Sequence, residues 1–472
     1  MYDIVKTHKV YEILICFVLG ITLWHLDFMV DMQPSAWHIF SVFIAVIISF
    51  ILRPFPMGMS VMTGLIILSA SGELSMKESL SGFADTTVWL VIAAFLLAQA
   101  VIDTRFGYRL ALLLVVRLGK TLKGLAYALC GSEFLLASVM PSNTARGGGI
   151  HAPIVDSLAH SLGSHSDKHP EKAGQYLSLV GAHANLTVAS MFMTGMAANP
   201  LITKAANDVF GVDFGWTTWI LGAIVPGLIA LVLLPQLLHF VMKPTLTDGS
   251  AAQTAAKKSL NEMGLMHWKE KIMLGVLVVM LLLWTTKFLH GMGTTLVAWL
   301  GVIVLLLTKA QSWNDITKNY KAWDTLIWLG GLLTMANMLL EYGFISWFVD
   351  HIQVLVSGYS GVVLVLVLGV IYFYSMYAFS MLTGHIAAMV IPFFAVCLAA
   401  GTPPMISIAI FAYFSCICGC MTNYSSGPII IYYGLGYVEA PRWFSVGFVV
   451  SIFHLLIWIP VGLLWWKFLG WW

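Results

Sequence analysis

The chain has 472 residues, of which 59% are hydrophobic and only 10% charged, too little polar surface to solvate a globule of this size. That excludes a water-soluble domain and points to an all-α integral membrane protein. Its net charge of +2 signals no nucleic-acid partner, because the informative bias in a membrane protein runs loop by loop.

Lys6 and Lys9 precede the first apolar run and no small-residue cleavage site follows it, so a retained signal-anchor is expected. Apolar segments predict helices near 12–30, 37–52, 57–71 and 83–103 in a hydrocarbon core of about 30 Å. A basic amphipathic stretch runs through Lys123, and Gly and Pro break the region 130–170. Spans near 174–208, 215–242, 271–289, 293–308 and 323–341 come next, then a second irregular region over 373–402. Spans near 404–434 and 442–470 bring the expected total to eleven transmembrane helices. The polar segment Lys243 to Lys271 is too short and too rich in Ala and Ser for a soluble domain, and reads as a cytoplasmic linker between halves.

The halves match each other. At an offset of 239 positions Asp85, Thr86, Trp89 and Leu90 fall on Asp324, Thr325, Trp328 and Leu329, Thr144 on Thr383, and Pro153 on Pro392. After an 11-residue difference in the next loop, Met193, Thr194 and Pro200 fall on Met421, Thr422 and Pro428. The stretch 105–123 holds Arg105, Arg109, Arg117, Lys120 and Lys123, whereas its mate 344–362 has neither Lys nor Arg, so one faces the cytoplasm and the other does not. With Lys309, Lys318 and Lys321 in a further cytoplasmic loop, the expectation is two inverted repeats, about 36–242 and 275–470, with the N-terminus cytoplasmic and the C-terminus external.

Non-helical chain at membrane depth survives only where protein or a wet cavity covers its polar groups. Four such places stand out. Met140 to Pro153 reads as the tip of a re-entrant helix hairpin, where Ser142, Asn143 and Thr144 are cap-forming residues. The N–H groups they leave at the positive end of the next helix suit a carboxylate. The second tip, Ser380 to Pro392, keeps Thr383 but has Met381 and Leu382 where Ser142 and Asn143 stand. Met193 to Pro200 and Met421 to Pro428 lie in spans too long for one helix and read as breaks with Pro at the restart, offering Thr194, Gly195, Thr422, Asn423 and Ser425 to a ligand.

Arg146 and His385 are related by the same offset and are the cationic side chains of the two tips. An intramembrane Arg is tolerated when an anion or an acidic partner compensates it, so it favours a dianionic substrate unless Glu133 or Asp156 takes it up. His385 is equally compatible with a packed core position. His151 and His183 are lone histidines on apolar backgrounds and read as packing residues. Cys416, Cys418 and Cys420 alternate on one helix and point apart, while Cys16, Cys130 and Cys397 are scattered. No metal site, cofactor, disulfide framework or paired nucleophile is expected, and hence no enzyme.

The run Ser142-Asn-Thr-Ala-Arg-Gly-Gly-Gly, with Thr383-Gly-His and Thr422-Asn-Tyr-Ser-Ser-Gly-Pro, resembles the divalent anion:sodium symporter family over nearly the whole chain. Within it the chain is most similar to the branch of 2-oxoglutarate/malate translocators and citrate or tartrate/succinate antiporters, whose first tip also reads Ser-Asn-Thr-Ala-Arg. The resemblance implies a homodimer in the cell membrane, with an elevator motion of a transport domain (130–242 and 373–472) against a scaffold (1–129 and 271–372), joined by the linker 243–270. It implies dicarboxylate binding by Ser142, Asn143, Thr144 and Thr383 together with the breaks. The symporters hold sodium beside the tips; here the degraded second signature and the cations Arg146 and His385 imply charge compensation in place of cation sites. The expected function is sodium-independent exchange of C4 and C5 dicarboxylates such as malate, succinate or 2-oxoglutarate, with sodium- or proton-coupled dicarboxylate or citrate symport as the alternative.

Overall fold

Long runs of Leu, Ile, Val and Phe punctuated by Gly and Pro produce helices, and the computed structural model, which describes residues 2–26, 32–138, 140, 142–356 and 361–472, is helical throughout apart from one isolated β-bridge among those residues. Pro141 and the last residues of the first predicted span lie outside the described residues. In the first half the helices are α1 (2–24), α2 (34–52), α3 (57–70), α4 (86–103), α5 (106–118), α6 (122–137), α7 (152–161), α8 (174–191), α9 (199–210) and α10 (216–242). The second half has α11 (250–262), α12 (268–285), α13 (294–307), α14 (320–341), α15 (344–356), α16 (361–375), α17 (382–399), α18 (404–417), α19 (427–434), α20 (440–458) and α21 (460–468).

Local chemistry sets the boundaries. Asp85 caps α4 by accepting from the Thr87 N–H at 2.7 Å, Thr121 caps α6 through the Gly124 N–H, and Pro34, Pro153, Pro200 and Pro428 occupy first turns, where a missing N–H is harmless. Among the described residues, eight helical stretches are at least 18 residues long and apolar enough to cross a membrane; 10–24, 57–70 and 294–307 are apolar but shorter.

Packing follows residue size. In α8 every residue from Tyr176 to Met191 is buried, because Gly181, Ala182, Ala184 and Ala189 let α6, α10 and α18 approach closely. Helix α14 packs against α2, α3 and α4.

The two irregular regions share a plan of α-helix, irregular tip and α-helix: α6, tip and α7 in the first, α16, tip and α17 in the second. Each predicted break is also real. The span near 174–208 is α8 and α9 separated by 192–198, and that near 404–434 is α18 and α19 separated by 418–426.

The polar segment between the halves is folded rather than loose. Ala, Lys and Gln are good helix formers, and α11 turns Ala252 and Ala256 inward against α5 and α7. Just before it, Leu122 N–H donates to the Thr247 carbonyl at 2.9 Å and Gly249 N–H to Lys120 at 3.0 Å, while Thr245 and Leu246 donate to the carbonyls of Glu171 and Lys172. Arg109 is buried and binds Glu270 at the start of α12, with a further bond to the Gly264 carbonyl at 3.0 Å.

Candidate functional site

At the first tip the Ser142 hydroxyl accepts from the Ala145 N–H at 3.1 Å and the Ser142 carbonyl accepts from the Arg146 N–H, so the chain turns into helix at Asn143. The first turns, Thr144–His151, are π-helical, a widened geometry found mainly at functional positions. Glycine permits it. A Cβ on Gly147 would stand 2.7 Å from Asn185 Nδ2, and one on Gly148 only 2.2 Å from Ile431 Cδ1. The triple glycine therefore admits α8 and α19 directly onto the tip.

Arg146 is fully buried. Its Nε donates to Glu133 Oε2 at 2.6 Å, Nη1 to the Met140 carbonyl at 2.7 Å and Nη2 to the Gly195 carbonyl at 3.2 Å. Of the two acidic partners open from sequence it takes Glu133; Asp156 instead accepts from the Tyr437 hydroxyl at 2.8 Å. Asn185, on α8, donates to both Glu133 Oε1 and the Asn143 carbonyl at 3.1 Å, tying the ion pair to the tip.

His151 joins this network instead of merely packing. Its Nδ1 lies 3.1 Å from Glu133 Oε1 and 3.0 Å from the Arg146 carbonyl; both are acceptors, so Nδ1 carries a proton, while Nε2 faces the Ser132 hydroxyl at 2.7 Å.

In the first break the Thr194 hydroxyl donates to the Ser138 carbonyl at 3.0 Å and accepts from Trp216 Nε1 at 3.1 Å. Asn199 donates to the carbonyls of Ala189 and Phe192, and the Phe192 carbonyl also accepts from the Gly195 N–H at 2.7 Å. In the second, the Ser425 hydroxyl donates to Gly419 at 2.6 Å and the Ser425 carbonyl accepts from the Leu382 N–H of the other tip at 2.7 Å. A Cβ on Gly427 would stand 2.5 Å from Thr144 Oγ1, so the second break and the first tip are in direct contact.

Ser142 to Arg146, Thr194 and Gly195, Thr422 to Ser425, and the Leu382–Thr383 turn thus form one cluster, with Thr144, Thr383 and Asn423 half-buried. His385 stands apart from the Arg146 network. It is fully buried between the rings of Tyr372 and Phe379, centroids 4.3 and 5.0 Å away, with Nε2 bonded to Ser375 at 2.8 Å.

Around the second break four buried polar atoms have no protein partner among the described residues: Thr422 Oγ1, Ser426 Oγ, Asn185 Oδ1 and the Tyr432 hydroxyl. Each such orphan costs about 1–3 kcal/mol if left dry. Sequence reasoning missed Asn185, Ser426 and Tyr432. An amide side chain in the middle of a wholly buried stretch of α8 was the available signal for the first; nothing local distinguished the others.

The sequence matches the family described as "Sodium:sulfate symporter transmembrane region" over residues 6–472. Similar relatives include YflS of Bacillus subtilis, a candidate malate transporter, 40% identical over 98% of this chain and 97% of that protein. Chloroplastic Dicarboxylate transporter 1 of Spinacia oleracea is 36% identical over 96% of this chain and 80% of its own, and inner membrane protein YbhI of Escherichia coli 33% over 93% and 94%. Among solved structures, the YdaH transporter of Alcanivorax borkumensis aligns with a TM-score of 0.57 over 87% of this chain and 90% of that one at 14% identity, a likeness of fold.

Proposed function

The chain belongs to the sodium:sulfate symporter transmembrane family, whose members are membrane transporters, and from that premise we propose that it is a sodium-independent exchanger of C4 and C5 dicarboxylates. One observation carries the reading. The Glu133 carboxylate and the Met140 and Gly195 carbonyls make the all-oxygen nest that would hold a hard cation, and the guanidinium of Arg146 fills it. A cation tethered to the chain cannot follow an ion gradient, which favours exchange over sodium symport. His385 holds the matching position in the second half, but it lies against Tyr372, Phe379 and Ser375 without an ion pair among the described residues, so the charge compensation proposed here rests on Arg146.

Dicarboxylate as the substrate class draws on the names of the relatives and on the cluster itself. Ser142, Asn143 and Thr144 at a helix start, Thr383, Thr422 and Asn423 offer polar groups to two carboxylates, while Thr194, Gly195 and Ser425, bonded to Ser138, Phe192 and Gly419, hold the breaks that complete the proposed site. The transport body comprises 130–242 and 373–472, slides against a scaffold of 1–129 and 271–372, and works in a homodimer in the cell membrane with a cytoplasmic N-terminus and external C-terminus. A bound dicarboxylate accepts from the Thr422 and Ser426 hydroxyls during the crossing, whereas an empty site crosses with them dry, so empty return is slow.

Counterflow in proteoliposomes tests this. Labelled malate should enter only vesicles preloaded with dicarboxylate, at the same rate with and without a sodium gradient; sodium-driven uptake into empty vesicles establishes the symport alternative instead.

A further inference from the structure

A second cationic feature lies outside the cluster. Arg53 closes α2 in the left-handed conformation, φ 57° and ψ 43°, with its N–H on the Ser49 carbonyl. Glycine takes that conformation freely, so an arginine here is held at a steric cost. Its Nη2 reaches to the second hairpin tip and donates to the Ser380 carbonyl at 2.7 Å; in return the Ser380 hydroxyl donates to the Ile51 carbonyl at 3.4 Å. The scaffold end of α2 thus grips the tip immediately before Thr383.

Beside this grip is a half-open chamber of about 210 Å³, lined by Phe50, Phe55, Phe379, Met381 and Gly384 along with Arg53, its only charged lining residue among the described ones. At roughly 30 Å³ per water it has room for about seven waters, or one small dicarboxylate. Arg53 is exposed, its side chain bonds a single neutral carbonyl among the described residues, and its planar fork is shaped for a carboxylate.

Building on the exchange reading above, we propose that this chamber is a first-contact subsite for the dicarboxylate and that Arg53 is an anion-operated latch on the second tip. An arriving carboxylate offers the guanidinium two charge-assisted bonds in place of one bond to a neutral carbonyl. The exchange frees Ser380 and leaves the long Ser380–Ile51 contact as the remaining tie. An unloaded carrier keeps its tip fastened to the scaffold; a loaded one is released. Obligatory exchange then has a mechanical cause in addition to the polar cost of an empty site.

The experiment has a transport arm and a labelling arm. In counterflow, Arg53→Gln should raise KM for malate at least tenfold and let label leak into empty vesicles, and Arg53→Lys, which keeps the charge but loses the fork, should lie between. In the labelling arm Ser380→Cys is probed with a maleimide on an otherwise native chain, whose six cysteines are buried. Succinate should raise the labelling rate with Arg53 present and leave it unchanged with Arg53→Gln. Unaltered KM and strict dependence on internal substrate in Arg53→Gln, or succinate-insensitive labelling with Arg53 present, overturns the latch. Should Arg53→Gln not fold, Arg53→Lys and the labelling of Ser380→Cys alone decide. Absence of counterflow by the native protein defeats the exchange reading, and the succinate-dependent labelling still judges the latch.

Discussion

Replacing Arg146 with Gln removes a guanidinium that is wholly buried and bound to a carboxylate and to two carbonyls from different segments. Breaking a buried ion pair from one side costs about 3–5 kcal/mol, since the surviving charge keeps its desolvation without its partner. At 1.4 kcal/mol per decade that is roughly a 10²- to 10⁴-fold shift away from the assembled tip. Glu133 keeps Asn185 and His151, which places the expected loss near the lower end. Glu133→Gln should do comparable harm by stranding Arg146. The double substitution removes both charges and should recover folded protein toward the native level, a coupling of at least about 1.5 kcal/mol by the usual cycle. The assay is fluorescence-detected size-exclusion after a heating series, run alongside counterflow. Recovery of the fold without recovery of exchange means the tethered cation is needed for transport as well as assembly. Native-like stability in Arg146→Gln, or strictly additive losses in the double variant, refutes the reasoning.

Asn185→Ala removes the link between Glu133 and the Asn143 carbonyl and should cost about 1–3 kcal/mol of tip stability, read as a higher KM in counterflow with protein yield largely kept. Gly427→Ala puts a methyl 2.5 Å from Thr144 Oγ1 and should lower exchange tenfold or more, and the pairing with Thr144→Ala should restore part of it, measured by initial rates. Lys204 on α9 reaches Asp85 at the start of α4 at 3.5 Å and Asp208 at 3.0 Å, both contacts partly solvated; Asp85→Asn should change stability by no more than about 1 kcal/mol while altering the exchange rate at saturating substrate more than KM, because the pair joins two bodies proposed to slide.

How much of this could be read from sequence follows from the range of the forces involved. Proline and glycine act on the chain next to them, so the breaks after Met191 and Ile417 and both tips were legible. The π-helical entry at Thr144 was not, because it depends on Asn185 and Ile431 filling the space that Gly147 and Gly148 vacate. Arg146 announced itself by its charge, but the choice of Glu133 over Asp156 is made by the facing of α6 and the π-helical turn, a matter of tertiary approach. His151 looked like packing for the same reason: its partners Ser132 and Glu133 precede it by 19 and 18 positions on the other limb of the hairpin. The linker's polarity was plain, whereas its attachment to residues 120–122 and 171–172 runs through backbone groups that carry no sequence signature.

That attachment fixes where the machine can bend. Thr247 is bonded to Leu122, and its neighbour Leu246 to Lys172, so there is no slack chain between the two loops they fasten. Residues 120–122, 171–172 and 245–249 are stitched into one seam, so in the proposed sliding motion the joint lies N-terminal to Lys120 and not at the 129/130 boundary. Compliance is left to the joints at either end of the stitched region: Arg105, at φ 59° between α4 and α5, and Gly264, at φ 64° between α11 and α12, bridged by the Arg109 bond to the Gly264 carbonyl. In the proposed sliding motion helix α5 is then the lever arm, with Arg105 as its fulcrum.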